Sequence, residues 1–269
     1  MKIILNKDNL RKLIKDQKDL GFVPTMGALH KGHISLIRKS RSECKKVIIS
    51  IFVNKPQFNK KKDFNKYPRL LKNDITILKD LKVDYLYVPK HKDIYPRGPN
   101  KNIKISSFKK KLCGKKRPGH FEAVVDVVER FIRIIKPKKI YLGEKDMQQV
   151  KIIEEFLNKK YNEIKIVPCK TIRESDGVAY SSRNLLLKLN EKAIASKVYK
   201  FLKKNKNIII SKKISIKSCK MQVLKFGVKN IEYLKVLDIN KIIKPYKWKK
   251  NSRIFIAYYL GSVRLIDNF

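Results

Sequence analysis

Arginine is scarce in this chain: it makes up 12 of the 66 basic residues, so lysine supplies the other 54. Acidic side chains are few as well, at 23, which leaves a formal charge of +43 over 269 residues. The four cysteines, Cys44, Cys113, Cys169 and Cys219, form neither a C-x-x-C pair nor a ladder of short spacings. That spacing argues against a zinc site and predicts free thiols in a reducing compartment. No stretch approaches the roughly 18 consecutive apolar residues a spanning helix needs, and the apolar run within Met1–Asp8 is too short for a signal peptide. We therefore expect a soluble cytoplasmic protein that meets no membrane. A G-x-x-x-x-G-K-[ST] loop is also missing, which excludes a Walker A nucleotide site.

A charge of this size ordinarily points to nucleic acid or an anionic surface. Here lysine, isoleucine and asparagine are abundant from end to end, and all three have A/T-rich codons. Base composition accounts for that pattern without a polyanionic partner, and we expect no nucleic-acid partner. The runs Lys60–Lys62, Lys109–Lys111 and Lys249-Lys250 read as solvated faces or loops. Only Tyr246-Lys247-Trp248-Lys249 interleaves aromatics with lysines in the manner of a nucleic-acid binder.

What is present is a 43% hydrophobic fraction arranged in alternating periods. Strand-like runs at Leu20–Pro24, Val47–Val53, Asp84–Val88, Lys139–Leu142 and Ile164–Cys169 alternate with helical spacings at Gly32–Glu43, Arg69–Leu81, Phe121–Ile135 and Met147–Lys160. The continuously apolar VIISIFV run fits a strand buried on both faces. The alternation predicts an α/β fold with a Rossmann-like, doubly wound parallel sheet over residues 1–171. After the polar stretch Thr171–Asn184, read as a hinge, come helical patterns at 190–204 and Ile214–Val228. Strand patterns at Ile231–Val236, Arg253–Tyr259 and Val263–Ile266 follow, predicting a smaller α+β domain over 172–269.

Two of only four histidines sit three residues apart in His30-Lys31-Gly32-His33, at a strand-to-helix turn. Two imidazoles beside a bare glycine at a helix start suit the binding of phosphates. Gly143-Glu144-Lys145-Asp146 follows the strand Lys139–Leu142, with two readings open. Asp146 is the cap of the next helix, or Lys145 meets a phosphate while Gln148 and Gln149 bind hydroxyls. Ser181-Ser182-Arg183-Asn184 reads either as a plain loop or as a phosphate clamp centred on Arg183. Arg69, Arg117 and Arg173 also fall in turn-like or polar segments. Asn54, Gln57 and Phe58 follow a buried strand and offer amide donors to a small polar acid. Asp74, near a helix start, is a candidate for Mg²⁺ through water, His120 is a candidate for the same cleft, and His91 reads as surface.

In order along the chain, these pieces are VPTMGALHKGH (Val23–His33), SIFVN (Ser50–Asn54) with Gln57-Phe58, and Tyr67-Pro68-Arg69. Then follow RPGHF (Arg117–Phe121), GEKDMQQ (Gly143–Gln149), RESDGVAYSSRN (Arg173–Asn184) and RLIDN (Arg264–Asn268). The ordered set resembles the pantoate–β-alanine ligase family of the HxGH nucleotidyltransferase superfamily. The resemblance implies condensation of pantoate with β-alanine through a pantoyl adenylate, with ATP as substrate accompanied by Mg²⁺, and AMP and pyrophosphate released. It implies ATP contacts from Met26, Gly27, Ala28, Leu29, His30, Lys31, Gly32 and His33. Gly143, Glu144, Lys145, Asp146, Ile172, Tyr180, Ser181, Ser182 and Arg183 are implied to bind ATP as well. His33 is implied as proton donor, with His30, Lys145 and Arg183 also catalytic; Gln57 and Gln149 bind pantoate, and Gln57 lies beside β-alanine. A homodimer, with the smaller domain closing over the first, is the implied assembly. Where the family often has two adjacent acidic residues after the Tyr-Pro-Arg, this chain has Asn73-Asp74. Other HxGH transferases with a different acceptor, and a nucleic-acid-binding module, stand as rival readings.

Overall fold

Phe22, Val23, Ile48, Ile49, Leu86 and Ile140 lie on adjoining strands, and every one is shut off from solvent. In the computed structural model, which describes residues 1–100, 102–240 and 251–269, they form the centre of a parallel sheet. Its strands are β1 (Lys2–Ile4), β2 (Leu20–Thr25), β3 (Lys46–Ile51), β4 (Tyr85–Tyr87), β5 (Lys139–Gly143) and β6 (Lys165–Cys169). Their order across the sheet is β1-β4-β3-β2-β5-β6. The chain divides into two compact units, Met1–Lys170 and Thr171–Phe269, and the sheet belongs to the first. Apolar β-branched runs with no polar face can pair only in the middle of such a sheet, covered by crossover helices.

The chain order reverses at β2. From β2 the chain steps outward to β3 and β4 on one side, then returns to lay β5 and β6 on the other. The connections leaving β2 and β5 therefore part at their carboxyl ends, which opens a crevice there. The helix Lys31–Glu43, directly after β2, packs hard onto it. A Cβ at Gly21 would run into Ser40 Oγ and lie 3.0 Å from Cys44 Sγ, so only glycine permits this approach. The helix His120–Ile135 is buried along most of its length; its Phe131 ring packs 5.6 Å from Phe22 and 6.1 Å from both Phe52 and Tyr87, centroid to centroid.

The second unit has an antiparallel sheet in the order β7 (Asn230–Asp238), β8 (Ser252–Leu260), β9 (Val263–Asn268). Helices Leu189–Lys204, Lys206–Ile210 and Ile216–Lys225 bury Ala195, Val198, Leu202, Ile209 and Val223 in a core shared with Ile254 and Ile256 of the sheet. The segment Thr171–Asn184, expected as a hinge, lies wholly in this unit and is folded. Arg173 pairs in a β-bridge with Ala179 and holds Asp267 through two bonds of 2.7 and 3.0 Å.

The expected fold class is present, with local differences. β3 ends at Ile51 rather than Val53, and after three more residues the chain enters a 3₁₀ turn at Lys55–Gln57. The helix expected from Arg69 begins at Leu71, since the Arg69 guanidinium turns back to the carbonyls of Phe64, Asn65 and Tyr67 and holds a turn there. The helix expected over Ile214–Val228 is confined to Ile216–Lys225, capped by Ser215. The strand Lys2–Ile4 and the helix Lys7–Ile14, capped by Asn6 Oδ1 on the amides of Asp8 and Asn9, were not expected. Tyr246-Lys247-Trp248-Lys249 and the pair Lys249-Lys250 lie outside the described residues.

The close approach at Gly21 makes a quantitative test. Gly21→Ala should destabilise the protein by about 1–3 kcal/mol through overpacking, read as a lowered denaturation midpoint. Adding Ser40→Ala, which removes a buried hydroxyl that has no hydrogen-bond partner, should recover part of that loss.

Candidate active site

The carboxyl end of β2 leads straight into the histidine motif, and each step of the turn is held. Thr25 Oγ1 donates to Ser50 O on β3 at 2.7 Å and accepts the Gly27 amide at 3.1 Å. Gly27 and Ala28 both adopt positive φ, +77° and +50°. The next two amides, of Ala28 and Leu29, donate to Asp74 Oδ2 and Oδ1 at 2.9 and 2.7 Å. His30 then caps the helix Lys31–Glu43, its Nδ1 accepting from the Gly32 amide at 3.1 Å.

That cap settles the tautomer of His30. Nδ1 accepts, so in the neutral ring the proton is on Nε2, the ring's one donor. The His33 ring lies 4.0 Å away, centroid to centroid, and its Nδ1 is buried with no hydrogen-bond partner. Burial is the main force holding the His30 pKa down, to about 4, and the positive Lys145 adds to it. His33 is also held well below the ordinary histidine value, first by burial, then by His30 and Lys145. Lys145 sits in the 3₁₀ turn Glu144–Asp146 that follows β5. The strand-order reversal at β2 and β5 thus places it within electrostatic reach of both imidazoles.

Gln57 reaches the same turn from β3. Its Nε2 donates to Met26 Sδ at 3.0 Å, and its Oε1 accepts from Asn54 Nδ2 at 3.0 Å. The amide orientations follow from the partners. Asn54 Nδ2 also donates to the Ala123 carbonyl at 3.2 Å, so Oδ1 must face the Tyr95 hydroxyl, which donates to it at 2.7 Å. The Gln57 backbone carbonyl is gripped as well, by His120 Nδ1 at 2.8 Å and Arg117 Nη2 at 3.0 Å. A carbonyl can only accept, so His120 carries its proton on Nδ1, leaving Nε2 to accept from Arg117 Nη1 at 2.9 Å.

Several expected site residues have other occupations. His120 is buried and holds Gln57 in place. Gln148, weighed as a hydroxyl binder, is buried and fastens the 108–113 segment, donating to Phe108 O and Lys111 O and accepting from the Cys113 amide. Gln149, half-buried, follows one position along the helix Met147–Lys160 and so points about 100° away from Gln148. Asp146 precedes that helix without a side-chain capping bond. Arg69 and Arg173 serve local structure, Arg173 packing against the Tyr199 and Phe269 rings. In the second unit Ser181 Oγ caps a 3₁₀ turn by accepting the Arg183 amide at 3.3 Å. Ser182 is buried, Arg183 half-buried, and Asn184 is tied to Glu174 Oε1 and Ala179 O. Ile172 and Tyr180 are half-buried in the same loop, where the Tyr180 amide donates to Ile172 O.

The donor set does not fit a resident divalent cation. Asp74 is 1% exposed and both of its oxygens accept backbone amides. Among the described residues no group of three or more His, Cys, Asp or Glu side chains converges.

The pantoate-beta-alanine ligase family model matches residues 2–269. The chain belongs to that family. Pantothenate synthetase from Fervidobacterium nodosum is 37% identical over an alignment covering 100% of this chain and 98% of that protein. Pantothenate synthetase of Francisella tularensis subsp. novicida is 43% identical, over 96% of this chain and 91% of its own. Among solved structures, pantothenate synthetase from Thermus thermophilus superposes with a TM-score of 0.90 at 30% identity, covering 100% of this chain and 99% of that one. Pantoate-beta-alanine ligase from Francisella tularensis, complexed with beta-gamma ATP and beta-alanine, gives 0.86 at 39% identity, covering 100% and 97%. The chain is thus an enzyme of the ligase class that joins pantoate to β-alanine.

The depressed pKa of His30 carries a sign. The folded value of about 4 lies below the ordinary 6.5, so the unfolded chain takes up the proton first as pH falls. Stability contributed by this ring is complete above about pH 6.5 and lost progressively towards pH 4. An NMR titration of the His30 ring should show its midpoint near 4. A midpoint at the ordinary histidine value would contradict the ring's buried environment.

Proposed function

We propose that the cleft at the ends of β2 and β5 forms a pantoyl adenylate from pantoate and ATP, and that β-alanine then displaces AMP. The supporting observation is the convergence at the strand-order reversal: the His30 and His33 rings 4.0 Å apart, Lys145 within their field, and Gln57 bonded to Met26 of the same turn. In the first step a carboxylate oxygen of pantoate bonds to the α-phosphorus and pyrophosphate leaves. In the second the β-alanine amine attacks the activated carbonyl, forming the amide, losing a proton and releasing AMP. The first step is a charge problem, a carboxylate approaching a polyanion.

In this reading the His30 and His33 rings donate N–H bonds to phosphate oxygens, where each well-aimed donor contributes roughly 3–4 kcal/mol to the transition state. The start of the helix Lys31–Glu43 adds about 0.3–1 kcal/mol for a negative group. A bound triphosphate opposes the burial that holds the imidazoles neutral and raises their proton affinity, which suits His33 to the role of proton donor. Lys145 neutralises the phosphates. Met26, Gly27, Ala28, Leu29, Lys31 and Gly32 line the nucleotide by backbone, as do Gly143, Glu144 and Asp146. Ile172, Tyr180, Ser181, Ser182 and Arg183 contact the nucleotide as well, as the family resemblance implies, Arg183 as a multidentate donor. Gln57 and Gln149 bind pantoate, and Gln57 meets β-alanine. Mg²⁺ enters with ATP, and the working form is a cytoplasmic homodimer, as the family resemblance implies.

His30→Ala and His33→Ala should each lower pantoate-dependent ATP–pyrophosphate exchange by about 10²–10³-fold, with the fold retained by circular dichroism. Near-normal exchange in both would sink the assignment. Tyr95→Phe removes the hydroxyl that orients Asn54 and, through it, Gln57. It should raise the KM for pantoate and β-alanine several-fold, a cost of about 1 kcal/mol for one lost hydrogen bond, while the KM for ATP stays put. An equal rise for all three substrates would count against this relay.

A further inference from the structure

Asp74 occupies the fourth position of the helix Leu71–Asp80, far in sequence from the histidine motif, yet its carboxylate is buried against it. The two oxygens take two consecutive amides, Leu29 on Oδ1 and Ala28 on Oδ2. A charged acceptor shared by two backbone donors is among the stronger hydrogen-bonding arrangements a protein makes. It falls where the backbone is least comfortable. Ala28 has φ +50°, a left-handed conformation that costs a residue with a Cβ, and Gly27 before it has φ +77°. A Cβ at Gly27 would lie 2.9 Å from Asp74 Oδ2, so the carboxylate presses close against both residues. Two residues later His30 caps the helix that carries His33. What fixes Ala28 and Leu29 therefore fixes where both imidazoles stand.

The same geometry speaks against a metal. Mg²⁺ needs near-octahedral oxygen donors and keeps several of its waters, whereas Asp74 is 1% exposed and already engaged on both oxygens. We propose that Asp74 is a positioning residue, clamping the 27–29 turn so that His30 and His33 face the α-phosphate, and that it does not ligate Mg²⁺, which reaches the site only as the counter-ion of ATP. This rests on the adenylation reading for the consequence to catalysis; the clamp itself does not.

The test uses the full-length protein with Asp74→Asn, an isosteric change that sets an amide NH₂ against one of the two backbone donors. Hydrogen–deuterium exchange should speed up at least tenfold for the Ala28 and Leu29 amides while β3 stays protected. Pantoate-dependent exchange of pyrophosphate should fall about 30-fold or more, with the Mg²⁺ concentration for half-maximal rate unchanged within about twofold. Adding Ala28→Gly, which adopts a positive φ freely, should restore about fivefold of the rate, a repair that a lost metal ligand would not allow. Unchanged amide protection, or a tenfold shift in Mg²⁺ requirement, overturns the proposal. If Asp74→Asn does not fold, the wild-type protein decides. Slow exchange at both amides, with Mn²⁺ remaining free by electron paramagnetic resonance until nucleotide is added, supports the clamp; fast exchange or nucleotide-free Mn²⁺ binding refutes it. Absence of pantoate-dependent exchange in the wild type would defeat the adenylation reading and leave the amide and Mn²⁺ results standing.

Discussion

The position of β2, with β3 on one side and β5 on the other, is the constraint on which the candidate site depends. Parallel strands buried on both faces need crossovers, and those leaving β2 and β5 run to opposite sides of the sheet. Because β2 and β5 are neighbours, with Phe22 opposite Ile140, their carboxyl ends emerge side by side although more than a hundred residues separate them. One end bears the histidine turn and the other the Lys145 turn. Close packing keeps them there: the helix after β2 rides so tightly on Gly21 that the motif at its start has little room to shift.

Electrostatically the site is more restrained than a net charge of +43 suggests. Burial first, and then Lys145, hold both imidazoles below the ordinary histidine pKa, so their rings favour the neutral form. Arginine, the better bidentate donor, is mostly employed elsewhere: Arg69 on carbonyls of its own turn, Arg117 on Gln57 and His120, Arg173 on Asp267. The lysines are spread along the whole sequence, a distribution that base composition accounts for.

Much of the architecture was legible because long apolar runs have one place to go. VIISIFV predicts an internal strand, and the helical spacing of Val124, Val127, Val128 and Phe131 predicts the helix that covers the sheet. The strand Lys2–Ile4 and helix Lys7–Ile14 were not expected; a three-residue edge strand is too short to show a period, whereas the helix does carry one, with Leu10 and Ile14 four residues apart on its buried face. The Asn6 cap marks where that helix begins. Within the site the motifs stand out by composition, but the supporting bonds do not. Tyr95 to Asn54, Asp74 to Ala28 and Leu29, and Arg117 to Gln57 span 41 to 60 residues, and no spacing rule pairs them.

Sequence alone determined the family, through an ordered set of motifs that includes two histidines flanking a glycine, a lysine after a strand and amides after another. It also determined the class of fold, because hydrophobic periodicity is a local property that burial enforces residue by residue. Only the tertiary structure decided which nitrogen of His30 and His120 holds the proton, which way Asn54 and Gln57 face, and that Asp74 is engaged by backbone. Those outcomes depend on partners brought in from other strands and helices. A hydrogen-bonding group takes its role from whatever the fold sets within about 3 Å of it.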